Sequence, residues 1–204
     1  MPEKLTKQEV TSETDPSVAK QFDTTTSAAE QVADLFKLID SFSACMLMTF
    51  RDSTPVGRSM AIAKRDGAKL LFLANKHSRK FADLEGNKSV FVTFQNSSKD
   101  WISMAGTAST VSASDPRIKD IFSSAVSAWF GDLGDGVHTG KADDPRLALI
   151  EVTPQHVKYY KHEMSSVGAM AEIGAAAMTG RIAKTGVLRE LQEAQLASGG
   201  AGVA

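Results

Sequence analysis

Seven short runs of apolar or alternating residues, each closed by a turn signal, fill the chain from residue 44 to residue 160. They span 44–50, 56–63, 69–74, 89–95, 101–111, 146–152 and 156–160. Runs of this length and period are strand signals, too short for helices. Most of the connections are too short for a crossover helix, so neighbouring strands must pair antiparallel. Asp66-Gly67 is a tight hairpin signal, and Asp52, Ser53 and Pro55 mark a second turn. Gly106 interrupts the longest run and predicts a bulge. Thr153-Pro154 reads as the turn of a last strand pair. The expected class is mainly β, a closed or nearly closed antiparallel barrel with helices.

Three helices punctuate these strands. Thr26 or Ser27 caps the first, which runs to about Phe42 with Val32, Leu35, Phe36, Leu38 and Ile39 on one side. Ser78 opens a short one that Gly86-Asn87 ends. Asp115-Pro116 starts an amphipathic helix carrying Ile118, Ile121, Phe122, Ala125, Val126 and Trp129. Residues 131–144 form a Gly/Asp loop. The two ends differ in composition. Residues 1–26 are polar and read as a disordered or loosely attached arm. Residues 164–204 hold 17 Ala or Gly and no aromatic. They read as a tail with one short helix over 187–197, where Leu188, Leu191 and Ala194 recur at helical spacing. The expected division is therefore arm 1–26, domain 27–163 and tail 164–204.

Composition narrows the function. With 204 residues and 42% hydrophobic content, the chain supports one sizeable core. A net charge of −1 argues against nucleic-acid or membrane-surface partners. The single cysteine, Cys45, excludes an internal disulfide framework, and no apolar leader or spanning stretch is present. The expectation is a cytoplasmic protein. Its charge is nevertheless uneven, since residues 58–80 hold seven basic residues and one acid. Taking the second and third strands as a hairpin, Arg58 and Lys76–Lys80 fall at one end of it. Ser78 there opens a helix whose free N–H groups favour an anion. Arg supplies a fork and Lys a point charge, which suits phosphate.

Other candidates are weaker. The loop from Gly131 to Lys141 lacks Walker A spacing, because Lys141 is followed by Ala142, and its acids do not match a calcium loop. His77, His138, His156 and His162 have no metal-ligand spacing, so no metal is expected. Cys45 lies inside an apolar strand and reads as an inert core thiol. Trp101 and Trp129 are core residues or ring-stacking platforms.

The run from Leu70 to Asn87, with Asn75-Lys76-His77-Ser78-Arg79-Lys80 at its centre, resembles the pyridoxamine-phosphate-oxidase-like flavoproteins. Arg58-Ser59-Met60 sits where that family opens its flavin-contacting strand, and Trp101 stands where the oxidases carry Gln. The segment from Glu151 to Tyr160 looks like their closing strands. The resemblance covers roughly 28–163 and is nearest the general-stress branch, including fungal blue-light-induced members. It implies a Greek-key-like FMN-binding split barrel that forms a homodimer with flavin at the interface. Arg58, Ser78, Arg79 and Lys80 would hold the phosphate of FMN, with FAD as the variant cofactor. Backbone at Ser59, Met60, Ala61, Leu73, Ala74 and Asn75 would line the flavin. Trp101, and Trp129 across the dimer, would lie near the ring. The chain lacks the Arg-Leu-His-type ending of true pyridoxamine-phosphate oxidases, running Tyr159-Tyr160-Lys161-His162-Glu163 instead. That argues against vitamin B6 oxidation. It leaves a flavin-dependent oxidoreductase or reductase with a small-molecule redox partner and unassigned catalytic residues. The alternatives are a non-enzymatic flavin or haem module, with His77 or His156 as axial ligand, and a pure interaction protein.

Overall fold

The computed structural model describes residues 15–111 and 114–200. Helix α1 (Pro16–Gln21) and helix α2 (Ala28–Asp40) precede β1 (Ala44–Arg51), β2 (Thr54–Ala61), β3 (Lys64–Asp66) and β4 (Lys69–Asn75). Helix α3 (Arg79–Gly86), β5 (Ser89–Gln95) and β6 (Trp101–Val111) follow, then α4 (Arg117–Ile121), α5 (Ser124–Ser127) and β7 (Leu147–His162). Helix α6 (Ser166–Thr179), β8 (Gly186–Gln192) and α7 (Glu193–Gly200) complete the described chain. Ser27 caps α2 through a reciprocal capping box with Glu30. At the Asp66-Gly67 turn, Gly67 takes the positive φ (56°) that the hairpin requires.

The strands form one antiparallel sheet in the order β2-β1-β5-β6-β7-β4-β3, with β8 also paired to β7. Its two end strands, β2 and β3, are joined by only Ile62 and Ala63. That short link bends the sheet so that both end regions face the same core. The inward residues Leu47, Leu70, Phe72, Val92, Ile102, Met104, Ile150, Val152 and Val157 then share one core, which α2 closes with Val32, Leu35 and Ile39. A second apolar cluster covers the outer face of β4 and β7, where Leu71, Leu147 and Leu149 pack on Ile118. Residues 147–150 are therefore buried on both faces, which is why they read as a continuous apolar run.

Four expectations need correction. The pair of strands around Thr153-Pro154 is one 16-residue strand, β7. Pro154 has no N–H to donate, so the ladder slips there instead of turning, opposite Ala105/Gly106. Before the slip β7 pairs with β4, and beyond it with β8. Gly106 is required at this bulge: a Cβ would sit 2.3 Å from the Thr153 carbonyl oxygen. The long amphipathic helix after Pro116 is broken into α4 and α5, because Phe122 is extended and the Ser123 hydroxyl caps α5 by accepting from the Val126 N–H.

The third correction concerns the tail. Residues 187–192 lie in a strand, since the free edge of β7 supplies a ladder, and α7 begins only at Glu193. Val187, Leu188, Leu191 and Leu196 are all buried. The fourth concerns the arm. Residues 1–14 lie outside the described residues, but 15–26 are not loosely attached. Phe22 bridges to Leu188, and the Asp23 N–H donates to the Leu188 carbonyl (2.9 Å). The buried Arg189 pairs with Asp23 at 2.8 Å and with Asp34 at 2.7 Å.

Candidate functional site

The seam of the barrel runs between β2 and the upper half of β4. Strand β2 pairs only with β1, and β3 reaches along β4 no further than Leu71. Among the described residues, backbone groups on the outer edge of 54–61 and on the matching edge of 72–75 are therefore without a strand partner. Such an edge can bind a planar, hydrogen-bonding ligand by the same groups that bind a strand.

At one end of this seam α3 packs onto β1 and β6. It brings Asp83, 6% exposed, against the end of β1. Thr49, an inward position of β1, donates to Asp83 at 2.8 Å and accepts from Arg58 Nη1 at 2.8 Å. Arg58 Nη2 and Arg51 Nε lie 3.3 and 3.2 Å from the same carboxylate. Burial works to raise the Asp83 carboxyl, but the hydrogen bonds from Thr49 and Arg51 and both guanidinium charges outweigh it. Asp83 is held below the usual carboxylate range.

Lys80 comes close enough for Arg58 to repel it. Burial first, and then the Arg58 charge, press the Lys80 ammonium below its ordinary value. Burial likewise lowers Arg58, against the pull of Asp83. Among the described residues Lys80 has no carboxylate partner and donates only to the Ser78 hydroxyl, at 2.9 Å. Ser78 has N-cap geometry without a side-chain cap bond. Arg79 is exposed and has no ion pair among the described residues. Two cations, Arg51 and Arg58, thus share one buried carboxylate, and Lys80 adds a third positive charge beside Arg58. An anion at the α3 N-terminus would relieve that excess.

The cations meet for a reason different from the expected one. Strand β2 does not pair with β4, so Arg58 and Lys80 are not at one end of a hairpin; α3 folding back onto β1 brings them together. Asp83, Thr49 and Arg51 were not singled out from the sequence. The signal available was Thr49, a polar residue in the inward series Cys45, Leu47, Thr49.

The outer face of the sheet carries a second feature. A cavity of about 420 Å³ is lined by residues 44–46, Ser59, 93–95 and 101–103, among them Met46, Thr93, Trp101 and Ser103. Trp101 stacks on Tyr160 with centroids 6.4 Å apart and planes 16° from parallel. Of the remaining candidates, Met60 packs inward on the core and Ala61 is exposed. Leu73, Ala74 and Asn75 end β4, and Asn75 accepts from the His77 N–H with its side chain. Trp129 stands apart, 87% exposed and outside both the cation cluster and the cavity lining.

An antiparallel β-barrel left open along one seam, with cations gathered at the seam end and helices packed on it, is the class that fold and site define. Residues 30–183 match the family model described as pyridoxamine 5'-phosphate oxidase like, and the chain belongs to that family. It is similar to the protein bli-3 of Neurospora crassa, 35% identical over 190 residues that cover 90% of each chain. Among solved structures it resembles general stress protein 26 of Bacillus anthracis. That likeness has 21% identity and a TM-score of 0.55, over 64% of this chain and 93% of the other. A general stress protein 26 of Jannaschia sp. matches with 16% identity and a TM-score of 0.62, over 80% and 99%. These structural likenesses establish the fold.

Proposed function

We propose that this chain is an FMN-binding protein that acts as a homodimeric flavin-dependent oxidoreductase or flavin reductase on a small molecule. The observation that carries the reading is the desolvated cation pair Arg58–Lys80 beside the α3 N-terminus, where Lys80 lacks a carboxylate. A terminal phosphate dianion is the group such a pair suits. Arg58, Lys80, Arg79 and the Ser78 hydroxyl would hold it. The unpaired edges of β2 and β4 at Ser59–Ala61 and Leu73–Asn75 would accept the polar rim of the flavin, and Trp101 would lie near its ring. Bound flavin supplies hydride and electron transfer, so the protein's task is orientation and electrostatics.

The test is a titration of the purified chain with FMN, read by the visible spectrum and by quenching of tryptophan fluorescence. Each charged contact to phosphate contributes about 1.5–3 kcal/mol. Arg79→Ala with Lys80→Ala is therefore expected to weaken FMN binding by roughly two orders of magnitude or more. A chain that binds no FMN, or a double variant that binds it unchanged, overturns the reading. Anaerobic addition of NADH or NADPH then distinguishes a turnover enzyme, whose yellow colour bleaches, from a flavin carrier, whose colour persists.

A further inference from the structure

Helix α6 is built inside out. Its fourteen residues include a single charge, Glu172, which is occupied by Arg181 and by the Lys184 N–H. On a helical projection Ala169 and Ala176 share one side, and these two small residues are the buried ones. The opposite side carries Val167, Met170, Gly174 and Met178 at spacings of three, four and four, with Ile173 beside them. Val167 is 79% exposed, Met170 75% and Met178 90%. A helix of one folded domain places its large apolar residues inward. Here they point away from the chain, and α6 packs extensively against no other element.

The segment that carries it is nonetheless fixed at both ends. The Glu163 N–H donates to the Thr185 carbonyl at 3.1 Å, and the Tyr160 and Thr185 hydroxyls are 2.7 Å apart. Ser165 caps the N-terminus and Gly180, with φ 69°, ends the helix. A 14-residue apolar helix that packs only through two alanines is marginal in water. Something must cover its outer side.

We infer that the outer stripe of α6 docks on the outer sheet face of a second copy of this chain and closes that copy's cavity beside Met46, Ser59 and Trp101. The inference rests on the homodimer reading above and adds the element that completes the site. Three observations select this occupant. The stripe bears no charge, and no charged residue lines the cavity, so the two faces match. A lipid surface would call for free Lys or Arg flanking the apolar stripe; α6 itself carries none, and the nearby Arg181 and Lys161 are taken by Glu172 and Asp34. Finally, α6 leaves the sheet just past Tyr160, which stacks on Trp101 at the cavity wall. A two-fold axis at that end exchanges the two α6 helices between copies, each covering the other's cavity in an isologous contact. At about 1.5 Å per residue, α6 is about 21 Å long. Four strands at about 4.8 Å spacing, β2-β1-β5-β6, span roughly 15 Å.

The experiment mixes two full-length variants in a Cys45→Ala background, one tagged and carrying Met170→Cys, the other carrying Met46→Cys. A short bismaleimide is expected to give a tagged–untagged covalent pair, with peptides around 170 and 46 joined in the mass spectrum. Met170→Lys with Met178→Lys should yield a monomer by light scattering while the far-ultraviolet circular dichroism is retained. A dimer without the 170–46 link, or one that survives both lysines, overturns the α6 contact and leaves the dimer reading standing. A monomeric unmodified chain overturns both and assigns the stripe to a foreign partner. A cross-linked dimer that binds no FMN sinks the flavin reading alone.

Discussion

Asp23→Asn isolates the contact that ties the N-terminal segment to the barrel. The Asp23 side chain is 5% exposed and faces Arg189 Nε at 2.8 Å; Arg189 is 6% exposed. Asp23 also accepts from the N–H groups of Thr25 and Thr26, both at 3.0 Å. Asparagine keeps the size and those two bonds, but presents Arg189 with no charge. Removing one partner of a buried pair costs about 3–5 kcal/mol, chiefly because the survivor stays buried. Asp34, 2.7 Å from Arg189 Nη1 and 26% exposed, remains as a counter-ion, which places the loss at the low end, about 3 kcal/mol. At roughly 2–4 °C per kcal/mol for a chain of this size, the midpoint of thermal unfolding falls by about 6–12 °C. Urea unfolding followed by tryptophan fluorescence measures the free energy, and hydrogen exchange at the Asp23 amide reports the local bond to Leu188. The variant also bears on pH. Burial opposes ionisation of Asp23, yet its bonds to Thr26 and Arg189 prevail and hold its carboxyl far below the usual range. A depressed native value means this stability is complete above the unfolded value near 4 and is lost as pH falls through the native one. The unmodified chain should therefore lose more stability on acidification than the Asn variant. A loss below about 1 kcal/mol, the worth of a surface pair, would refute the reasoning.

Gly106→Val puts side-chain atoms where the Thr153 carbonyl lies 2.3 Å and Pro154 Cα 3.0 Å from a Cβ. Both obstacles are backbone, so the bulge must shift; a loss of about 3 kcal/mol or more is expected in urea unfolding, and wild-type stability would disprove the packing account. Asp83→Asn removes the negative charge and one of the two oxygens that orient Arg58 and Arg51, so FMN affinity should fall at least tenfold while riboflavin, which lacks the phosphate, is little affected; equal losses for both would reduce Asp83 to a structural role. Burial pushes the Cys45 thiol up to about 12, so the folded chain should resist iodoacetamide at about pH 8 and react only after unfolding. Prompt alkylation of the native protein would show that the strand opens.

The local signals were legible wherever chemistry and period agreed. Ser89–Gln95 and Trp101–Val111 were recovered with their ends, because alternation, a bounding loop and a weak-point glycine all coincide there. Ser27, Ser78 and Asp66-Gly67 marked their caps and turn for the same reason. Misreadings arose where the deciding partner was remote. Residues 187–192 have helical spacing, but the open edge of β7 makes them a strand. Asp23 looks like any acid of a polar arm until Arg189, 166 positions away, is packed beside it.

The same division holds at the site. By itself the sequence determined an antiparallel β class, the clustering of Arg58, Ser78, Arg79 and Lys80 in one basic stretch, and a family resemblance carried by that stretch. Those are properties of neighbouring residues, and covalent proximity is enough to express them. Only the tertiary structure decided that Arg58 meets Lys80 through α3 folding onto β1, that Asp83 and Thr49 hold the arginine, and that α6 faces outward. These depend on contacts across dozens of residues, set by how the sheet closes and which strand edges remain free.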